Sequence, residues 1–121
     1  LRPLGHQAGD MLLEEAGRRI RNVLRDEDTV ARLGGDEFGV IVSGCGENKE
    51  LLEKTCDRVR EVIAQMPVGE GLHVTASVGA VEVAGPRTSW DEIYRIADRE
   101  LYASKKAGGD RISVAADRLG D

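Results

Sequence analysis

Thr29-Val30-Ala31-Arg32-Leu33-Gly34-Gly35-Asp36-Glu37-Phe38-Gly39-Val40-Ile41-Val42 is the stretch that decides the fold. Thr29–Leu33 is short and partly β-branched, and Gly34 and Gly35 free the backbone for a tight reversal. Phe38, Val40 and Val42 then alternate with Gly39 and Ile41. Two short strands around a glycine turn make a β-hairpin. The adjacent carboxylates Asp36 and Glu37 fall at its tip, where they offer the hard oxygen ligands that Mg²⁺ takes alongside phosphate oxygens. Metal-assisted phosphoryl transfer needs that pairing of neutralised phosphate charge and an activated hydroxyl. Taken alone, the segment also fits a plain turn that only reverses the chain.

Working outward, Leu13, Ala16, Ile20 and Val23/Leu24 recur at helical spacing and predict an amphipathic helix over 10–24. Beyond the hairpin, Ser43–Asn48 reads as a polar loop. Leu52, Thr55/Cys56, Val59, Val62/Ile63 and Met66 mark a second helix, ended by Pro67 and Gly69-Glu70-Gly71. Leu72–Val83 is rich in Val, Thr and Ala and reads as one long strand, interrupted only by Gly79, before Gly85-Pro86 turns the chain. Ser89 followed by Glu92 is a capping-box pattern. It opens a third helix with Ile93, Ile96/Ala97 and Leu101 inward. Ala107-Gly108-Gly109-Asp110 ends that helix, and Arg111–Val114 is a short last strand. The order implies an α+β fold, one domain over 1–114 with a loose polar tail over 115–121. A ferredoxin-like arrangement needs one more strand before the first helix.

The 121 residues are 40% apolar and 32% charged, as in an ordinary globular domain. The net charge of −5, from 22 acidic and 17 basic residues, speaks against a general nucleic-acid binder. It leaves a nucleotide site open, because a bound metal offsets phosphate charge locally. No apolar run reaches bilayer-spanning length and no signal peptide is visible. Cys45 and Cys56 lack metal-ligand spacing and a disulfide framework, which fits a reducing cytoplasm, with Cys56 a small core or semi-buried thiol. His6 reads as a hydrogen-bonding residue at a helix entrance, His73 as a strand residue, and Trp90 and Tyr102 as packing residues. The chain begins at Leu1 without an initiator Met, which suggests a piece of something longer.

Four segments in order carry a wider pattern. Gly5-His6-Gln7-Ala8-Gly9-Asp10, Arg32–Phe38, Thr75-Ala76-Ser77-Val78-Gly79-Ala80 and Ala97-Asp98-Arg99-Glu100-Leu101-Tyr102-Ala103-Ser104-Lys105 together resemble the GGDEF family of diguanylate cyclases. The resemblance implies a ferredoxin-like palm similar to class III nucleotide cyclases, a mainly antiparallel sheet flanked by helices, with its first central strand absent here. It implies a Mg²⁺- or Mn²⁺-dependent reaction across a homodimer, in which each GTP 3′-hydroxyl attacks the other's α-phosphate to give cyclic di-GMP and pyrophosphate. By the same resemblance Asp36 binds metal and accepts a proton, with Glu37 as its acidic neighbour. Gly34 and Gly35 let the nucleotide approach, Asp10 contacts guanine and Lys105 reaches the phosphates. Lys105 also fits a solvated helix-end lysine. Arg25-Asp26-Glu27-Asp28 fits the family's RxxD inhibitory site for cyclic di-GMP, with Arg58 as its second arginine. Bidentate capture of phosphate suits such arginines; a solvated Arg25–Asp28 helix-end pair is the plainer reading. An upstream sensory or receiver domain, no nucleic-acid partner, and a cytoplasmic location, free or as part of a membrane-anchored sensor, complete the implication.

The match has breaks. In register, the family's guanine-binding Asn falls at Leu1 and its next Asp at Arg2, while Gly109 replaces an arginine and Asp110 an Asn. These departures predict little or no cyclase activity for the 121 residues alone, and an exposed sheet edge open to strand exchange. They also sustain an alternative, a degenerate GGDEF domain that binds cyclic di-GMP or GTP as a regulator. A third reading is an interaction domain that only keeps the fold.

Overall fold

Three amphipathic helices organise the chain, and their ends follow local chemistry. The structure is a computed structural model, and it describes residues 5–42, 48–84 and 88–120. Helix α1 (Gly5–Val23) starts ahead of the apolar periodicity and places Ala16 and Ile20 in the core. On its outer side Arg18 and Arg19 bind Glu15 at 2.6 and 2.9 Å. Helix α2 (Lys49–Ala64) opens at Asn48, whose side-chain oxygen accepts from the Leu51 amide at 3.1 Å. It stops before Pro67, which cannot continue a helix. Helix α3 (Trp90–Lys106) opens as the capping pattern predicts, with Ser89 Oγ accepting from the Glu92 amide at 3.2 Å. No helix among the described residues is long and apolar enough to cross a membrane.

The strands form two separate ladders. β1 (Thr29–Gly34) pairs antiparallel with β2 (Glu37–Ile41), from Thr29↔Ile41 to Gly34↔Glu37, with a register shift between Arg32 and Gly34. β3 (Ser77–Ala80) pairs parallel with β4 (Arg111–Val114), from Ser77↔Arg111 to Ala80↔Val114. The long strand expected over 72–83 is thus cut to four residues. Val and Thr content supplies the capacity for a strand, but a strand exists only where a partner supplies the other half of the ladder. Among the described residues, 72–76 have none. The tail is not loose as far as 120. Ala115 donates to the Ala80 carbonyl, Leu119 to Glu82 and Ala84 to Leu119, which carries the parallel pairing onward. The expected turn at Gly85-Pro86 and most of the loop over 43–48, with Cys45, lie outside the described residues.

Ala16, Ile20, Ile63 and Met66 form the core, with Leu12, Val30, Phe38, Val59, Val74 and Ala76 packed around it. The Phe38 ring lies against α1 because position 17 is glycine: a Cβ there would be 3.2 Å from Phe38 Cε1. A second layer presses α3 onto β3. Ile96 and Ala115 are buried there, and Ser104, 1% exposed, donates from Oγ to the Val78 carbonyl at 2.8 Å. Cys56 is buried, as expected. Trp90 and Tyr102 are not packing residues: 54% and 64% of their surfaces stay exposed. Tyr102 lies on the side of α3 opposite Ile96 and Ser104, whereas Trp90 is the helix's first residue and lies against the Tyr94 ring instead of the core.

Arg60 ties α2 to the turn before β4, bonding Asp57 at 2.8 Å and Asp110 at 3.0 Å. Asp110 takes a left-handed backbone (φ 49°), a conformation that Asn and Asp tolerate best after glycine. The Arg60 hydrogen bond is the main reason the Asp57 carboxyl titrates below its ordinary range. A carboxylate with a lowered folded-state pKa contributes stability above that range and loses it as pH falls through it. Asp57→Asn is therefore expected to flatten the acid limb of the melting profile between about pH 5 and pH 3. The effect is a few tenths of a kcal/mol because the pair is solvent-screened. Thermal melts of both proteins across that range measure it, and parallel acid limbs would refute the assignment.

Candidate functional site

The turn between β1 and β2 is held from within. Arg32 donates from Nε and Nη2 to the Gly35 carbonyl at 2.9 and 2.7 Å, a two-point clamp on the reversal. Gly35 has φ +46°, and a Cβ at position 34 or 35 would meet nothing within 4 Å. The glycines are therefore needed for backbone conformation, and the space in front of them is open to an approaching group. Asp36 is exposed and Glu37 half-buried. The Glu37 carboxylate accepts a short hydrogen bond from the Tyr94 hydroxyl of α3. That bond is the main cause of a raised Tyr94 pKa, followed by burial and the negative charges of Glu37 and Asp98.

Asp10 approaches the same clamp from α1: its carboxylate stands 4.0 Å from Arg32 and is 70% exposed. So α1, β1 and the turn converge through one arginine. Lys105 lies elsewhere, exposed on the last turn of α3. It follows Tyr94 by three helical turns on the same side, about 16 Å along the axis. The structure thus gathers Asp10, Gly34, Gly35, Asp36 and Glu37 at one end, and leaves Lys105 at the other end of a shared helix face. His6 belongs to α1, and its side chain lies outside the described residues.

Among the described residues, no group of three or more His, Cys, Asp or Glu is placed to hold a metal ion. The donor set at the turn is two neighbouring carboxylates. It suits Mg²⁺, which keeps waters and takes one or two carboxylates plus phosphate oxygens, and it does not suit an all-protein cage.

The second constellation is also brought together. Arg25 holds Asp28 at two points, Nη2 to Oδ1 at 3.1 Å and Nε to Oδ2 at 3.3 Å, and the Arg25 amide adds 2.8 Å to Oδ2. Arg21 donates to the Asp28 carbonyl at 2.6 Å. The Asp28 side chain is only 2% exposed while Arg25 stays 49% exposed, so a buried carboxylate is held by a half-exposed guanidinium. Arg25, Asp28 and Arg58 line one cleft of about 140 Å³, with Val23, Leu24 and Leu51 as its apolar wall. It has room for one end of a ligand. Gly109, standing where the resemblance leads one to expect an arginine, has φ +74°, and it opens the turn that Asp110 and Arg60 then close.

The family model described as "Diguanylate cyclase, GGDEF domain" matches residues 2–111. The chain belongs to the GGDEF family. Pseudomonas aeruginosa diguanylate cyclase DgcP is 37% identical to this GGDEF domain over 116 residues, 92% of the chain and 16% of DgcP. The GGDEF domain of Pseudomonas aeruginosa YfiN (TpbB) superposes with a TM-score of 0.78 at 28% identity, covering 96% of this chain and 73% of that one. The coiled coil and GGDEF domain of Caulobacter crescentus DgcB, solved with c-di-GMP, gives 0.76 at 26%, covering 92% and 60%. The chain spans a third or less of the curated relatives it matches, 31% and 16% in two of them. The cyclase palm expected from the sequence is the fold found, and the class is α+β.

Sequence reasoning passed over Tyr94 and Arg60. Neither sits in a local motif, and each acquires its role from a residue about fifty positions away, |i−j| being 57 and 50.

Proposed function

We propose that this domain condenses two GTP molecules into cyclic di-GMP and pyrophosphate. The observation that carries the reading is the Arg32-clamped turn, which presents Asp36 and Glu37 to open space, in a chain whose family is defined by that turn. Bound Mg²⁺ or Mn²⁺ supplies charge neutralisation on the phosphates and polarises the reacting hydroxyl. Asp36 would hold that cation and take the proton of the 3′-hydroxyl as its oxygen bonds to the partner nucleotide's α-phosphorus and the bond to pyrophosphate breaks. Glu37 would offer the neighbouring carboxylate. Asp10 accepts from the guanine edge, Gly34 and Gly35 admit the nucleotide, and Lys105 meets its phosphates as a point charge. Two domains face each other, one GTP in each. The domain proper ends with β4 at 114, and 115–121 form a tail in which Ala115 and Leu119 bond to Ala80, Glu82 and Ala84.

Feedback by the product belongs to the Arg25, Asp28 and Arg58 cleft, with DgcB solved with c-di-GMP as support from a relative. With only two carboxylates at the turn, the 121 residues alone turn over little GTP. The gathered arginine cleft also favours a second reading, a product-binding module without synthesis; intact protein that binds cyclic di-GMP yet makes none from GTP would establish it. Calorimetry of the intact protein tests the main reading. Magnesium-dependent GTP binding is expected, and it is lost when Asp36→Asn and Glu37→Gln are combined. Absence of any magnesium-dependent GTP binding sinks the proposal.

A further inference from the structure

We infer that Tyr94 is a positioning residue for the acidic turn, its hydroxyl orienting the Glu37 carboxylate for a divalent cation. This rests on the reading just proposed. Glu37 opens β2 at the end of a two-stranded hairpin, where a glutamate keeps several freely rotating bonds and would sample many orientations. The Tyr94 hydroxyl donates to Glu37 Oε1 across 57 positions of sequence, so one oxygen is fixed from a separate element and the other is left for a ligand. A tyrosine has far fewer rotamers than the glutamate it holds, so little freedom has to be lost on its side. Trp90 stands one helical turn earlier with its ring centroid 6.2 Å away at a 51° tilt, flanking the tyrosine ring. Asp98, one turn later, is the other negative group acting on Tyr94, and the hydroxyl bonds Glu37 in preference to it.

The chemistry follows the usual logic of outer-shell partners. A carboxylate that binds metal is itself hydrogen-bonded, and removing that partner costs about 10–100-fold in metal affinity or activity. The hydroxyl and the ring have separable jobs, which permits a clean test. In the intact protein, Tyr94→Phe removes the donor and keeps the ring beside Trp90, whereas Tyr94→Leu removes both. Calorimetric titration with Mn²⁺, in the presence of a non-hydrolysable GTP analogue, is expected to give about tenfold weaker metal binding for both variants. The melting temperature is expected to fall only for Tyr94→Leu, and metal-free affinity for the analogue stays unchanged in Tyr94→Phe.

Cyclic di-GMP synthesis should follow the metal: the Mn²⁺ needed for half-maximal rate rises in Tyr94→Phe, while kcat at saturating metal recovers. If Tyr94→Phe binds Mn²⁺ as the parent does while Asp36→Asn abolishes that binding, the positioning role is refuted and the cyclase reading stands. If Asp36→Asn leaves metal binding intact, the cyclase reading fails and this inference fails with it.

Discussion

Asp36→Asn is expected to lower cyclic di-GMP formation by the intact protein at least about a thousandfold, with the melting temperature unchanged. The substitution keeps the size and hydrogen-bonding shape of the side chain, so the Arg32 clamp on Gly35 and the turn itself persist. What it removes is one negative charge from a set of only two carboxylates. No third acidic, histidine or cysteine ligand among the described residues stands ready to compensate. An interaction made with the developing charge of the transition state is lost in full from kcat, and a thousandfold corresponds to about 4 kcal/mol. Because Asp36 is exposed, its folding contribution lies within about 0.5 kcal/mol. Product formation from GTP, measured chromatographically beside a thermal melt, separates the two effects. A variant that keeps a tenth or more of the parental rate would mean that Asp36 does not carry the metal.

Gly79→Ala is the substitution with the largest expected effect on folding. A Cβ at this position would lie 2.1 Å from the Leu101 amide nitrogen, 2.3 Å from the Ala97 carbonyl oxygen and 2.6 Å from Leu101 Cα. All three are backbone atoms of α3, so no side chain can swing aside. The helix has to lift off β3, which loosens the Ser104–Val78 hydrogen bond and the packing of Ile96 beneath it. Overpacking with backbone displacement costs about 3 kcal/mol or more. In a domain of this size that lowers the melting temperature by roughly 10 °C or more. Gly35→Ala is the matched control, strained in its backbone at φ +46° but facing open space. Calorimetric melting of the two variants side by side decides the matter. A loss at position 79 no larger than at 35 would show that α3 does not rest on that backbone.

Much of this was readable in the residues. The hairpin declared itself through Gly34 and Gly35 between alternating apolar runs, and the start of α3 through Ser89 and Glu92. Gly79 carries a signal of its own. An isolated glycine inside a strand often marks a close backbone approach, and α3 is what approaches. What stayed hidden depended on partners distant in sequence. The extent of β3 is limited by where β4 and Leu119 pair with it, which no property of 72–76 announces. The exposure of Tyr102 follows from its register on α3, and that of Trp90 from its place at the helix's first residue. Asp28 looked like a surface charge because RxxD is short and acidic. Its burial needed Arg25 and Arg21 to fold back onto it.

The contact between Gly17 and Phe38 has a mechanical consequence. A two-stranded ribbon is marginal on its own, so the acidic hairpin borrows its rigidity from the helix against which Phe38 leans. The aromatic ring is the fulcrum: Phe38 follows Glu37 directly, and the missing Cβ at position 17 lets ring and helix touch without a cushion. A roll of that helix about its own axis would therefore meet the Phe38 ring first, one residue from the Glu37 carboxylate.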